Sequence, residues 1–298
     1  MNNRPTEATH AAAAALGRLF RALPTDARGK GRLARSLLTH QARSTPIVVS
    51  GAGGSSLFLP NLHEPVAFSY WMNGCYEPET LAFLKRVCDQ RPQSALIDVG
   101  ANIGVFSVPM ARHLASTGRR VLALEASPPV ASILRSNIDR NQLRNVTVLE
   151  CAASNGESET VPFYVAPEDK FGMGSTAPQF GAKPIPVAAK TLDKVIQEAG
   201  GGDIGAIKVD VEGYEAHVFE GAAQLLAGPH PPAIVFEFCD WAEERAFPGQ
   251  CGWAQQILLD HGYRLWRIAD YLAGRTCFER PLTKGFESIA AIHESPGE

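Results

Sequence analysis

Residues 95–104 read Ala-Leu-Ile-Asp-Val-Gly-Ala-Asn-Ile-Gly, and this stretch decides the fold. A short apolar run ends in Asp98 and is followed at once by a turn that contains Gly100 and Gly104. The apolar segment that starts at Val105 then predicts a helix. A buried parallel strand that leads through a glycine turn into a helix N-terminus is typical of a nucleotide-binding site, because glycines let the backbone approach a ligand closely.

The spacing of the glycines narrows the choice of ligand. Gly-x-x-x-Gly is not the Gly-x-Gly-x-x-Gly of pyrophosphate-binding dehydrogenases, and no Gly-Lys-Ser/Thr follows to make a P-loop. The carboxylate of Asp98 would repel a pyrophosphate, whereas it suits an ammonium group. A second strand-like run, residues 121–124, ends in Glu125, which lies roughly 25 residues past the turn and close to the ~20 expected for a ribose-binding carboxylate. The pattern therefore favours S-adenosylmethionine (SAM) over NAD as the cofactor.

Two sets of motifs resemble known enzymes. Residues 98–104 resemble motif I of the class I SAM-dependent methyltransferases. Residues 207–215, which read Ile-Lys-Val-Asp-Val-Glu-Gly-Tyr-Glu, resemble the hallmark of the FkbM family of O-methyltransferases, as do residues 191–193 and 76–80. The resemblance runs from about residue 65 to about residue 240. It implies transfer of a methyl group from SAM to a hydroxyl of a small molecule, a sugar or glycan, or a polyketide-type natural product.

Strand-like and helix-like segments alternate from residue 95 onward. The predicted strands and helices of this region are strands 95–99, 120–124, 146–149, 205–209 and 233–238, and helices 104–115, 128–140, 213–226 and 252–261. The alternation predicts an α/β fold with a mostly parallel sheet and helices on both faces. The resemblance further implies the Rossmann-like, seven-stranded fold of class I methyltransferases, in which late strands near 263–268 and 287–292 form an antiparallel ending.

The chain before residue 92 is expected to add elements to this core. Residues 1–45 are interpreted as an N-terminal helical extension, and residues 46–298 as the methyltransferase domain with its core at 92–298. A helix at 9–23 is expected to present four apolar residues on one face: Leu16, Leu19, Phe20 and Leu23. Packing of this face onto the domain is favoured over attachment to a membrane surface.

Two smaller β features are also expected. A glycine turn at residues 51–56 separates two apolar runs, 47–49 and 57–59, which predicts a hairpin. Residues 160–165 and 184–189 predict an added β pair. The loop between them is long for a compact domain, and we therefore interpret it as a lid over the acceptor.

Ligands of open α/β sheets bind beyond the carboxyl ends of the strands, so the residues there are candidates for the cofactor site. Eight residues are predicted to bind the cofactor: Asp98, Gly100, Asn102, Gly104, Glu125, Ala126, Ala152 and Asp210. Glu125 is expected to accept hydrogen bonds from both ribose hydroxyls. For Asp98 the alternative is a helix cap, and for Asp210 it is a role in the turn.

Methyl transfer is an in-line displacement, and an alcohol acceptor must also lose its proton. Three residues are candidate bases: Asp210, Glu237 and His217. For His217 a surface or packing role is favoured over a catalytic one. Asp210, Glu212 and Glu237 could instead hold a Mg²⁺ ion that lowers the pKa of the alcohol, but this alternative is not favoured and no metal ligand is assigned.

Composition bounds the partners and the compartment. A net charge of −3 argues against a nucleic-acid partner held by bulk charge. Six cysteines without a Cys-x-x-Cys pair indicate reduced thiols and a cytoplasmic location. The sequence contains no run of 18 apolar residues, so no membrane span is predicted. Formation of a homo-oligomer is left open.

Two functions from other classes are weighed against O-methyl transfer. One is an NAD-dependent oxidoreductase, which the missing third glycine disfavours. The other is a catalytically inactive binding module with a SAM-type fold. The acidic residues at positions 98, 125 and 210 disfavour this second alternative.

Overall fold

The computed structural model describes residues 7–25 and 27–293. Its strands, in chain order, are β1 (Ile47–Ser50), β2 (Ser56–Leu59), β3 (Ala95–Val99), β4 (Val121–Leu124), β5 (Val146–Leu149), β6 (Ala152–Ala153), β7 (Thr160–Phe163), β8 (Ile185–Lys190), β9 (Ile204–Val209), β10 (Ala233–Cys239), β11 (Tyr263–Arg267) and β12 (Phe286–His293). Its α-helices are α1 (Glu7–Arg21), α2 (Lys30–Leu37), α3 (His40–Arg43), α4 (Pro65–Asn73), α5 (Pro78–Gln90), α6 (Ser107–Leu114), α7 (Pro128–Arg140), α8 (Leu192–Glu198), α9 (Glu215–Glu220), α10 (Ala223–Leu226), α11 (Asp240–Ala246), α12 (Trp253–Asp260) and α13 (Ile268–Leu272).

Seven strands form the central sheet in the order β11-β12-β10-β9-β3-β4-β5. Neighbours from β10 to β5 pair in parallel, whereas β12 runs antiparallel to both β10 and β11. The predicted α/β fold, its mostly parallel seven-stranded sheet and its antiparallel ending are therefore confirmed.

Alternate residues of the central strands face two apolar cores, as the two-residue repeat of a strand requires. Leu96 and Ala123 belong to the core that includes residues of α5, α6 and α7. Ile97 and Leu122 belong to the other core, which includes residues of α8, α9 and α12. Helices therefore cover both faces of the sheet, as expected for parallel strands that are apolar along their whole length.

Helix α1 packs on α4 through its smallest residue. A Cβ at Gly17 would lie 2.6 Å from the indole Nε1 of Trp71, so only glycine allows this approach. Trp71 is fully buried and donates its indole N–H to the carbonyl of Ala13 at 3.1 Å, and its ring lies 5.9 Å from that of Phe20. Residues of the N-terminal helices thus share a core with the rest of the chain.

The four apolar residues expected on one face of the first helix divide between two environments. Phe20 is buried and Leu16 is half-buried, whereas Leu19 and Leu23 are exposed. The expectation of a single packed face is wrong, because the face that packs contains Ala13, Gly17 and Phe20, at helical spacing.

The hairpin of β1 and β2 and the antiparallel pair of β7 and β8 form as predicted. Other helices differ from the prediction in where they begin and end. α6 begins at Ser107 rather than at residue 104, because positive φ angles at Asn102 and Gly104 keep the turn non-helical. The helix predicted at 213–226 is divided into α9 and α10, and α11 was not predicted.

None of the helices within residues 7–25 and 27–293 combines the length and the hydropathy needed to cross a bilayer.

Candidate active site

A cavity of about 250 Å³ opens at the carboxyl ends of β3, β4, β9 and β10. The sheet order places Glu125, Gly100, Asp210 and Glu237 one after another along this edge, with neighbouring strands roughly 4.8 Å apart. The predicted site residues on the cavity wall are Gly100, Asn102, Glu125, Ala126, Ala152, Asp210 and Glu237. Three other predicted residues, Asp98, Gly104 and His217, do not line it.

The carboxylate of Glu125 is fixed by two backbone amides. Its Oε2 accepts a hydrogen bond from the N–H of Asn102 at 2.9 Å, and its Oε1 accepts one from the N–H of Ser127 at 2.8 Å. Burial raises the pKa of Glu125 to about 7, although these two amides and Lys208 favour the charged form. Each carboxylate oxygen keeps a second lone pair, so the group can accept two more hydrogen bonds from a ligand in the cavity.

The glycine turn brings the ends of β3 and β9 together. Gly100 has a φ of 72°, and a Cβ there would lie only 1.8 Å from the carbonyl oxygen of Asp210. No residue with a side chain fits this position without moving β9. Asn102, with a φ of 51°, also adopts the left-handed conformation, which asparagine tolerates better than most residues.

Lys208 joins the ends of β3 and β9 beneath the cavity. Its role was not predicted from the sequence. It is buried, and it donates to the carbonyl oxygen of Gly100 at 2.8 Å. Its Nζ lies 3.5 Å from Oδ1 of Asp98 and 3.5 Å from Oδ2 of Asp210. Burial lowers the pKa of Lys208, but the nearby carboxylates outweigh burial and the net shift is upward. A lysine within the apolar run 204–209 was the signal for this site, since a buried charge needs partners.

Asp98 lies beneath the cavity rather than on its wall. It is fully buried, its Oδ2 accepts a hydrogen bond from the hydroxyl of Ser107 at 2.5 Å, and its other oxygen faces Lys208. The predicted contact of Asp98 with a cofactor stays a prediction, since Asp98 does not line the cavity. The carboxylate is instead engaged in holding the turn and α6 together.

Gly104 serves packing. Its N–H donates to the carbonyl of Ala101 at 2.9 Å, and a Cβ there would lie 2.9 Å from Leu134 and 3.1 Å from Val108. Gly104 therefore allows the turn to pack closely on α6 and α7, and its predicted contact with the cofactor stays a prediction.

His217 lies on α9, no residue of which lines the cavity. Its ring is 5.6 Å from that of Tyr214, 4.6 Å from that of Phe247 and 5.7 Å from that of Trp253. Its nearest acid is Glu220, at 3.9 Å. The structure therefore places His217 in an aromatic cluster and not among the groups that face an acceptor.

Carboxyl groups dominate the polar part of the cavity wall. They come from five residues: Glu64, Glu125, Asp210, Glu212 and Glu237. Within the described part of the chain, no lysine, arginine or histidine lines this cavity. Burial, reinforced by the charge of Asp210, raises the pKa of Glu64 and of Glu212 to about 7 and raises that of Glu237 as well.

Glu64 was not anticipated from the sequence. Its Oε2 accepts a hydrogen bond from the N–H of Ala67 at 2.7 Å, so it caps α4, and it is almost fully buried. The signal was a glutamate directly before Pro65, the pattern of a helix start. Nothing local indicates that this helix start faces the carboxyl ends of strands that follow much later in the chain.

The rest of the wall is mainly apolar. The loop predicted to be a lid supplies six consecutive wall residues, 171–176. Tyr76 also lines the cavity. Trp241 and Phe286 line it too, yet they are 51% and 59% exposed, which places them at its opening.

No group of three or more His, Cys, Asp or Glu side chains in the described ranges is arranged to hold a metal ion.

The fold and the site have the features predicted for a SAM-dependent methyltransferase: a glycine turn after the first parallel strand, a buried carboxylate after the second, and an antiparallel pair of strands at one end of the sheet. The match to a family model is specific. Residues 98–265, more than half of the chain, match the methyltransferase FkbM domain. The chain belongs to the FkbM methyltransferase family. This membership is incompatible with the alternative of an NAD-dependent oxidoreductase.

The chain is similar to two named relatives and to one solved structure. The chain is 27% identical to the 31-O-demethyl-FK506 methyltransferase FkbM of Streptomyces tacrolimicus over 223 residues, which are 65% of this chain and 82% of that protein. It is 31% identical to the methyltransferase sdnD of Sordaria araneosa over 155 residues, 42% of this chain and 59% of that protein, so this match spans less than two thirds of sdnD. A crystal structure of a methyltransferase FkbM from Methylobacillus flagellatus KT is 16% identical, with a TM-score of 0.40 over 67% of this chain and 44% of that chain.

Proposed function

We propose that this protein transfers the methyl group of SAM to a hydroxyl of a small molecule, a sugar or glycan, or a polyketide-type natural product. The observation that carries the proposal is the order of carboxyl groups along the sheet edge. Glu125 lies on one side of the Gly100 turn, and Asp210 and Glu237 lie on the other. One side suits a ribose, and the other suits an alcohol that must be aligned and deprotonated.

The cavity residues fit the cofactor part by part. Glu125 accepts hydrogen bonds from the two ribose hydroxyls, while Cys151, Ala152 and Ala126 border the adenine. Gly100 and Asn102 flank the methionine portion, where the missing side chain of Gly100 leaves room for it. Because Asp98 already binds Ser107 and Lys208, the acids of the wall remain for the ammonium group. SAM, when bound, supplies the electrophilic methyl group.

The acceptor hydroxyl lies between Asp210 and Glu237 in this proposal. Asp210 is held by Lys208, accepts the hydrogen bond of the hydroxyl and takes its proton as the oxygen attacks the methyl group. Glu237, whose pKa is raised by burial and by the charge of Asp210, donates a hydrogen bond to the same oxygen from its protonated form, which aligns the oxygen; alignment can contribute about 7–11 kcal/mol. A positioned base contributes roughly 10²–10⁴-fold.

Two further observations support this function. The name of the Streptomyces relative gives 31-O-demethyl-FK506 as its substrate, and this chain matches 82% of that relative. Trp241 and Phe286 at the opening offer an apolar surface to the part of an acceptor that stays outside the cavity. For the compartment, the six cysteines are free thiols, and we propose the cytoplasm, where thiols stay reduced.

The test is methyl transfer from ¹³C-methyl-labelled SAM to a panel of sugars, glycans and macrolides. We expect labelled O-methyl groups in the NMR spectrum of the product, and no label when Asp210→Asn replaces the wild type. Calorimetry with S-adenosylhomocysteine (SAH) is run in parallel. Label on nitrogen or carbon would overturn the proposal, and SAH binding without transfer to any hydroxyl compound of the panel would favour the inactive binding module.

A further inference from the structure

The two N-terminal helices carry leucines that the described parts of the chain leave uncovered. Leu19 is 68% exposed and Leu23 47% exposed at the end of α1. Leu33 and Leu37 on α2 are 53% and 54% exposed. Leu33 and Leu37 are four residues apart within α2 and lie on one helical face, while Leu19 lies on α1 and Leu23 lies two residues beyond its end. Leucines are usually buried in the core of a protein. A cluster of exposed leucines on a surface marks an interaction site.

These leucines are not needed to attach the helices to the domain. α1 packs through Ala13, Gly17 and Phe20, as described above, and α2 packs through Ala34, which is fully buried. The ammonium of Lys30 donates to the carbonyl oxygens of Leu23 and Pro24 at 3.1 and 3.2 Å, which ties the start of α2 to the end of α1. Lys30 therefore links the start of α2 to the segment that follows α1, and both regions leave leucines exposed.

Charge is distributed unevenly between this helix pair and the rest of the chain. Residues 1–45 contain eight Lys or Arg and two Asp or Glu, a net charge of +6, whereas the remainder of the chain carries −9. Arg28 and Arg32 are exposed and lie next to the leucines in sequence. The basic charge and the exposed leucines thus occur in the same short segment.

We propose that this leucine–arginine face, formed by Leu19, Leu23, Arg28, Arg32, Leu33 and Leu37, docks the protein on an anionic lipid bilayer. Leucines of a basic amphipathic helix enter the boundary between headgroups and acyl chains, and arginines bind the lipid phosphates. A second copy of the chain is a poorer occupant, because it would bring together two N-terminal segments that each carry a net charge of +6. The remainder of the chain has a net charge of −9 and is repelled by the same lipids. The charges therefore also orient the protein with its N-terminal helices towards the bilayer.

Vesicle co-sedimentation of the full-length protein tests this proposal. The probes are vesicles of phosphatidylcholine alone and vesicles that also contain about 30% phosphatidylglycerol. We expect binding to the anionic vesicles, at least tenfold weaker binding to the neutral ones, and loss of binding when salt is raised from about 0.1 M to about 0.5 M.

Two double variants separate the apolar and the electrostatic contributions. Leu33→Gln with Leu37→Gln leaves the charge unchanged and is expected to weaken binding at least tenfold. Arg28→Gln with Arg32→Gln keeps the leucines and is expected to weaken binding by about fivefold per arginine at low salt. The matched controls are Ile185→Gln, an exposed apolar residue, and Arg280→Gln, an exposed arginine, both outside this face. Circular dichroism and SAH calorimetry verify that every variant is folded.

Three results would overturn the proposal. The first is absence of binding to the anionic vesicles by the wild type. The second is equal binding by the wild type and both double variants. The third is a dimer of the wild type, seen by light scattering, that the Leu33→Gln/Leu37→Gln variant converts to a monomer, because this would assign the face to a second copy.

Discussion

The carboxylate of Asp98 and the ammonium of Lys208 lie 3.5 Å apart on residues that are directly paired between β3 and β9. The same ammonium donates to the carbonyl of Gly100 and lies 3.5 Å from Asp210. One buried cation therefore holds both the glycine turn after β3 and the carboxylate of Asp210 on the cavity wall.

Lys208→Met is expected to lower the free energy of unfolding by about 3–5 kcal/mol, because it leaves the carboxylate of Asp98 buried without its cation. Denaturant unfolding measures this change. Adding Asp98→Asn to Lys208→Met removes the uncompensated charge and should restore part of the stability. A Lys208→Met variant as stable as the wild type would show that the ion pair does not hold the two strands together.

Glu125→Ala is expected to weaken SAH binding at least 100-fold, since two hydrogen bonds to a charged group are worth about 1.5–3 kcal/mol each. Isothermal titration calorimetry measures the affinity. Glu150→Ala is the matched control, because Glu150 is an exposed glutamate that pairs only with Arg135. Unchanged affinity in Glu125→Ala would defeat the assignment of the ribose to this carboxylate.

The pKa of Glu125, raised to about 7 by burial, predicts pH-dependent binding. Below this pKa the free protein holds a proton on the carboxyl group, and above it the ionised group accepts both ribose hydroxyls. SAH affinity should therefore rise several-fold between about pH 6 and about pH 8. At about pH 6, binding of SAH should release the proton of Glu125. The slope should be smaller in Glu125→Ala, and equal slopes in the two proteins would contradict the prediction.

The same raised pKa affects the stability of the ligand-free protein. Glu125 has an ordinary pKa of 4.5 in the unfolded chain. Between that value and about 7 the folded protein therefore binds more protons than the unfolded chain, and the contribution of Glu125 to stability falls as pH rises. Unfolding of the ligand-free protein across this window, with Glu125→Ala beside it, measures that contribution.

Asp210→Asn is expected to keep SAH affinity within a few-fold while turnover falls roughly 10²–10⁴-fold, the contribution typical of a positioned acid–base group. Calorimetry gives the affinity, and labelled-methyl transfer to the acceptor found in the screen gives the rate. Asp260→Asn, an exposed aspartate on α12, is the control. Full activity in Asp210→Asn would make Asp210 a structural residue.

His217→Ala is expected to leave turnover and SAH affinity within about twofold of the wild type. Its loss removes ring contacts with Tyr214, Phe247 and Trp253, so a small loss of stability, about 1–2 kcal/mol, is expected instead. Turnover and thermal unfolding are measured on the same preparation. A tenfold loss of turnover with SAH affinity intact would return His217 to the catalytic residues.

The local parts of the site were predictable from the sequence. The first strand and its glycine turn are predicted from adjacent residues, and the acid Glu125 is predicted from the end of the next strand-like run. Asp210 and Glu237 end their own strands, and parallel strands end at one edge, so their convergence follows from the fold class. Because these relationships need only the periodicity of each segment, the sequence was sufficient for them.

The parts that depend on registers between distant segments could not be predicted. That Lys208 pairs with Asp98 is set by the register of β9 on β3, more than one hundred residues apart in the chain. Without this register, Asp98 has the appearance of a ligand-binding acid. Glu64 reaches the cavity from a helix that precedes the whole sheet, and the side of α9 on which His217 lies depends on how that broken helix packs.

The sheet order separates the two halves of the site in a way that matters for redesign. Glu237, Trp241 and Phe286 belong to β10, α11 and β12, on the far side of β9 from Glu125. The contact between Gly100 and Asp210 joins the halves, and it tolerates no added atom. Under the function proposed above, substitutions beyond β9, made in the laboratory or by natural drift, alter the range of acceptors without readjusting the half assigned to the methyl donor.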